Sequence, residues 1–288
     1  MAFGIIGANW RSVEIPRVPP KPLLMPLTAN YRRTPVLQVG ADVYCDSQNI
    51  ARALGELGHD ETLFPAQCHG ASMALASWAE NVLFDLGVRV VITSVIDEAP
   101  PEFVADRGSL YFDPGWTVES MKAALPSNIL QLQANLAIAD AALETTGYAV
   151  GDSPSYADAA LGYIAWFVRG RWSGGADMLA PFGNLVRLER ELETKGQGTA
   201  TDLSGEDALA IAKAAAPASP TGVMSAYDGG LQMGQRVMIR PRGQTADPDV
   251  FGTLRYIDDT RVSINHSSEE TGDVAVHFPV AGYVITAV

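Results

Sequence analysis

Basic charge is scarce in this chain of 288 residues: 20 Lys and Arg stand against 33 Asp and Glu, a net charge of −13. Phosphate recognition needs a basic face, so a nucleic-acid partner is excluded. Cysteine is scarcer, and Cys45 and Cys68 alone make no disulfide framework. No apolar run reaches membrane-spanning length, and Met1 to Gly7 is too short and lacks the basic start of a signal peptide. A soluble cytoplasmic protein is therefore expected, without membrane partners. Histidine is rare as well. Cys68-His69 is an adjacent pair that cannot easily hold one ion with both side chains, and no second cluster has ligand spacing, so no metal is expected. His266 and His277 read as ordinary strand residues. What the chain does have is apolar content, 47%, enough for a sizeable core in two or three domains.

The most informative stretch is Tyr31-Arg-Arg-Thr-Pro-Val-Leu-Gln38 and the Tyr44-Cys-Asp-Ser47 that follows. Val36 to Val39 and Val43 to Cys45 are β-prone runs joined by Gly40-Ala41-Asp42, which suits a hairpin turn with positive φ at the glycine. Pro35 cannot donate to a ladder and belongs at the strand's start. A cis bond before it would turn the N–H and C=O of Val36 outward, toward an extended peptide. Beyond the hairpin, Ile50, Ala53, Leu54 and Leu57 fall at helical spacing from Gln48, with Gly58 as a C-cap and Ser47 as the expected N-cap. A helix N-terminus with a hydroxyl suits a carboxylate, and Asp46 suits an ammonium. Together they would hold an α-amino-acid head group.

This arrangement resembles the thioredoxin-like N-terminal domain of the glutathione S-transferase (GST) family, where Thr-Pro-Val precedes the third strand and an acidic-Ser pair opens the next helix. The resemblance implies glutathione as co-substrate, with Thr34, Pro35, Val36, Asp46 and Ser47 as binding residues. The backbone of Val36 would pair with the cysteinyl unit, and Asp46 and Ser47 would hold the γ-glutamyl group. Arg32-Arg33 reads either as a solvated surface pair or as a fork for a carboxylate of the tripeptide.

A second anchor lies about 110 residues downstream, at Gly147-Tyr-Ala-Val-Gly-Asp-Ser-Pro-Ser-Tyr-Ala-Asp158. Ser155 and Asp158 have the spacing of a capping box, a folding device with no catalytic part. The same GST family carries this pattern at the start of the buried helix of its all-helical C-terminal domain.

The start of the chain departs from the resemblance. Met1 to Gly7 looks like the tail of the family's first helix, and Arg11 to Ile15 like its second strand, so the first strand and catalytic loop, roughly twenty residues, are missing. The reaction's own residue is then expected upstream of Met1, in a longer natural protein. The rival is a variant that lost catalysis.

Ala66 to Ala79, Glu80 to Ile92, Val118 to Glu144 (broken near Pro126) and Asn184 to Glu193 read as helices, with Asp97 to Trp116 an irregular insertion. Trp78, Phe84, Tyr111 and Trp116 fit an apolar pocket, though core is the commoner fate of such residues. Leu203 to Ala216 is an Ala-rich helix capped at Ser204, and Pro217 to Gly222 a linker. Beyond it, 235–240, 250–257, 261–266, 273–278 and 282–286 read as five strands, without a lysine among them, suggesting a small SH3-like barrel.

The expected fold class is α+β multidomain: a shortened thioredoxin-like domain (1–62), an all-α transferase domain (66–200), a helix and linker (201–222) and a small β-domain (223–288). The function implied is glutathione-dependent transfer to an apolar electrophile, with a homodimer as the assembly common to the family. The alternative is a non-catalytic ligand-binding or scaffold protein.

Overall fold

In chain order the elements are α1 (Ala2–Ile5), β1 (Asn9–Ser12), β2 (Val36–Val39), β3 (Asp42–Cys45), α2 (Ser47–Leu54), α3 (Asp60–Leu63), α4 (His69–Trp78), α5 (Phe84–Ser94), α6 (Pro101–Tyr111), α7 (Val118–Ala142), α8 (Tyr156–Arg171), α9 (Gly175–Leu179), α10 (Gly183–Lys195), β4 (Thr199–Asp202), α11 (Gly205–Lys213), β5 (Gly222–Val223), β6 (Arg236–Pro241), β7 (Val250–Ile257), β8 (Arg261–Ser268), β9 (Gly272–Pro279) and β10 (Tyr283–Ala287). They come from a computed structural model that describes residues 1–65, 68–224, 229–243 and 246–288. Ala66 and Gln67, with which the expected helix Ala66 to Ala79 opened, lie outside the described residues.

The chain divides into two units that cut across its linear order: residues 1–10 with 54–200, and 11–53 with 201–288. The first is helical. Its centre is α8, whose buried residues run from Tyr156 through Val168 and which packs against α4, α5, α9 and α10. Ser155 and Asp158 form the expected capping box: Asp158 Oδ2 accepts from the Ser155 N–H at 2.9 Å, and Asp158 Oδ1 accepts from the Ala149 N–H at 2.8 Å. Both residues are buried, so at Ser155 the box satisfies a donor that no water reaches. The stretch read as an irregular insertion contains helix α6. Its prolines occupy the helix start, where a missing N–H costs nothing and the fixed φ suits the first turn. Pro126 does not break α7 either, which runs through it.

The second unit is built on one sheet, ordered β10-β6-β7-β8-β9-β3-β2, with β5 paired to β7. The expected five C-terminal strands are present, but among the described residues they form an open sheet rather than a closed SH3-like barrel. They also do not stand apart: β9 pairs in parallel with β3, Val43 opposite Val276, so the hairpin and the C-terminal strands share a core. Val43, Cys45, Val237, Ile239, Leu254, Ile264, Val276 and Phe278 fill it, with Leu209 and Ala212 of α11 packed on. The first strand is β1, slightly earlier than expected, and it is not in this sheet. It pairs with β4, which gives its backbone groups partners.

Candidate functional site: the end of the β2–β3 hairpin

All five expected binding residues lie at one end of one hairpin. Gly40 takes φ 61° in the turn, and the ladder runs from Val39 opposite Asp42 to Val36 opposite Cys45. Thr34 and Pro35 therefore enter the strand where Asp46 and Ser47 leave it. The Thr34–Pro35 peptide bond is cis. Among the described residues strand β2 is the last of the sheet, so one row of its backbone groups faces no further strand there.

The helix start differs from expectation in one respect. Ser47 is the first helical residue and Asp46 is the cap: the Asp46 C=O accepts from the Ile50 N–H at 2.9 Å, and Oδ1 accepts from the Gln48 N–H at 3.0 Å. Asp46 does this with φ 78°, a left-handed backbone that Asp tolerates better than most residues. With the cap supplied by Asp46, Ser47 Oγ forms no hydrogen bond among the described residues and stands at the N-terminus of α2. The helical backbone runs on past α2 through residues 55–57, and Gly58 ends it with φ 103°, in the place expected of a C-cap glycine.

The second oxygen of Asp46 meets a residue from the far end of the chain. Tyr283 O–H donates to Oδ2 at 3.1 Å, and the Tyr31 and Tyr283 hydroxyls are 3.0 Å apart. Burial pushes both phenols up, so both stay protonated at neutral pH. Since Tyr283 spends its proton on Asp46, Tyr31 is the donor between the two. Burial likewise raises the Asp46 carboxyl, against the hydrogen bonds from Gln48 and Tyr283 and the charges of Arg33 and Arg52.

Arg32 and Arg33 are neither a solvated pair nor a free fork. Arg32 Nε lies 3.0 Å from Asp247 Oδ1, and Arg33 Nε lies 2.7 Å from Asp247 Oδ2.

A Ser-His-Asp array also appears, which the sequence did not reveal. His277 Nε2 is 3.0 Å from Asp42 Oδ1, and His277 Nδ1 is 2.6 Å from Ser263 Oγ. Hydrogen bonds from His277, Ser219 and Ala218 outweigh burial and hold Asp42 at about 2. Asp42 is then an acceptor, Nε2 carries the proton, and the Ser263 O–H donates to Nδ1. His277 is 0% and Ser263 1% exposed, so no substrate reaches the hydroxyl. The array fastens β3, β8 and β9 together and is no nucleophile. Its one sequence signal is a histidine inside an apolar strand, between Val276 and Phe278.

In the helical unit, Phe84 packs on Tyr111, Tyr163 and Phe167 with ring centroids 5.5 to 6.1 Å apart. Trp116 packs on the core around Val88 and Met121. Cys68 precedes α4, and the His69 ring rests on Phe64. Among the described residues no group of three or more His, Cys, Asp or Glu is placed to hold a metal ion.

No protein-family model matches the chain, and no curated protein matches it. Among solved structures it is similar to the crystal structure of a GST-like protein from Pseudomonas syringae, at 28% identity and TM-score 0.74, covering 99% of this chain and 92% of that one. Poplar glutathione transferase F1 aligns over 64% of this chain and 75% of its own at 15% identity and TM-score 0.44. A glutathione S-transferase from Methylobacterium radiotolerans in complex with glutathione sulfonate aligns over 59% and 74% at 20% identity and TM-score 0.41. The first gives the class: the chain has a GST-like fold. Among the described residues no helix is long and apolar enough to cross a membrane.

Proposed function

We propose that this protein is a glutathione S-transferase-like protein that binds glutathione at the end of the β2–β3 hairpin and uses its thiol on an apolar electrophile. The observation that carries the reading is the meeting of Thr34, Pro35 and Val36 with Asp46 and Ser47 at one end of an edge hairpin. There, the outer backbone groups of β2 suit an extended peptide, and the N-terminus of α2 with the Ser47 hydroxyl suits a carboxylate. Asp46 keeps lone pairs for an ammonium beyond those used by Gln48 and Tyr283. Likeness to a GST-like protein along nearly the whole chain supports the same reading.

A second copy of the chain is the proposed partner. Helix α7 carries no charge from Ala123 to Ala139, and Leu130 and Ile138 on it are 65% and 60% exposed. An exposed uncharged stretch of this kind is where an acidic protein meets its own copy at least electrostatic cost.

The test is calorimetric titration with glutathione, alongside thiol conjugation to a generic electrophile. Saturable binding that Ser47→Ala weakens about tenfold, the worth of one charge-assisted hydrogen bond, supports the site. Turnover by an upstream-extended form alone supports the transferase reading, binding without turnover in either form supports a ligand-binding module, and no binding in either removes the glutathione reading.

A further inference from the structure

We propose that Tyr283, brought in on the last strand of the chain, is a positioning residue for Asp46, so that the C-terminal strands complete the ligand site of the hairpin. This rests on the glutathione reading of the same site.

Three observations carry it. Asp46 follows β3 and caps α2, and its Oδ1 is committed to the Gln48 N–H. That single bond leaves the carboxylate free to turn about it. The Tyr283 hydroxyl supplies the second bond, to Oδ2, and a carboxylate held at both oxygens has one orientation. Finally, Tyr283 is itself fixed. Its ring packs on Phe278 at 5.8 Å, its hydroxyl accepts from Tyr31, and its strand is paired along its length to β6, Tyr283 opposite Pro241. Tyr31 packs edge-on against the same Phe278 at 5.4 Å. The two phenols and Phe278 thus form a rigid block, and a hydrogen bond from a rigid donor holds its acceptor better than one from a mobile side chain.

The chemistry of a ligand ammonium makes this useful. An ammonium needs an ionised carboxylate with lone pairs aimed at it, and burial works against ionisation at Asp46. The Tyr283 donor opposes that penalty, with Arg33 and Arg52 acting in the same sense. Cys45 and Tyr31, the other titratable groups nearby, stay neutral at physiological pH because burial raises both.

The experiment compares the protein with its Tyr283→Phe variant, which keeps the ring against Phe278 and removes only the hydroxyl. Tyr31→Phe serves as a second variant that leaves the Tyr283–Asp46 bond in place, and thermal melting checks the fold of each. Two quantities are read: the titration of the Asp46 carboxyl by carbon NMR without ligand, assigned through Asp46→Asn, and glutathione affinity from pH 5 to 8. For Tyr283→Phe the expected result is an upward move of the Asp46 titration, an affinity three- to tenfold weaker, and an acid limb of the binding curve shifted to higher pH. Tyr31→Phe should produce a smaller change in each. An unmoved Asp46 titration, or unchanged affinity across the pH range, overturns the proposal, even where stability falls. If the unaltered protein binds no glutathione while the Asp46 titration still moves, the glutathione reading fails and the coupling of Tyr283 to Asp46 stands.

Discussion

Beside His266 of β8, whose imidazole burial also lowers, His277 is one residue through which pH reaches the sheet. Burial holds its imidazole below the ordinary range despite the pull of Asp42. The unfolded chain takes up that proton near pH 6.5, while the folded one resists it. Its contribution to stability is therefore complete above pH 6.5 and is lost as pH falls below it toward the folded value. Asp42 acts lower: its contribution is present above 3.8 and is lost as pH falls through about 2. Urea unfolding followed between pH 7.5 and 5 should show stability falling with pH. In His277→Gln that slope should shrink, with a loss of roughly 2–4 kcal/mol at pH 7.5 from the broken buried hydrogen bonds. An unchanged slope in the variant would place the acid sensitivity elsewhere. None of this was legible in the sequence, because Asp42, Ser263 and His277 look like a turn residue and two strand residues until the ladders align them. Asp46 and Ser47 were legible as a pair. Which of them caps α2 was not, since the choice follows from a left-handed φ at Asp46 that no neighbouring residue announces.

Local chemistry wrote the elements most plainly. The capping box of α8, the hairpin with Gly40 at its turn, the Ser204 cap of α11 and the five C-terminal strands each follow from residues close in the chain. Helix α6 did not, because Pro100 and Pro101 read as breakers where they in fact start a helix. The box itself makes a sharp prediction. Ser155→Ala removes two hydrogen bonds to Asp158, one accepted from its N–H and one donated to Oδ2, and should cost about 1–2 kcal/mol. Asp158→Ala strands the buried N–H of Ser155 and the part-buried N–H of Ala149 and should cost about 2–5 kcal/mol, seen as a lower thermal midpoint than for Ser155→Ala. Equal effects would mean that Asp158 is not the main acceptor at that helix start.

For the whole molecule, what the sequence hid is that its linear segments are not its units. Parallel pairing of β3 with β9 joins residues more than 230 apart, and no local pattern encodes it. The C-terminal strands are thus the larger part of a sheet, not an appendage. A chain ending at residue 200 should leave β3 without its inner neighbour and α11 absent from the core, and should fail to fold the hairpin cooperatively; a sharp unfolding transition with native-like β signal would contradict that. At the same scale, Leu130→Glu with Ile138→Glu on α7 should shift the protein to a monomer in light scattering, and a monomer before substitution would remove the self-association.

The most direct measurement is an amide NMR titration of the full chain with glutathione, reading Val36, Ser47 and Gln48 against Leu130 and Ile138 of the helical unit as controls. Saturable shifts at the first three with the controls still are expected. Saturation elsewhere, or no shift at the hairpin end at millimolar glutathione, would contradict binding there.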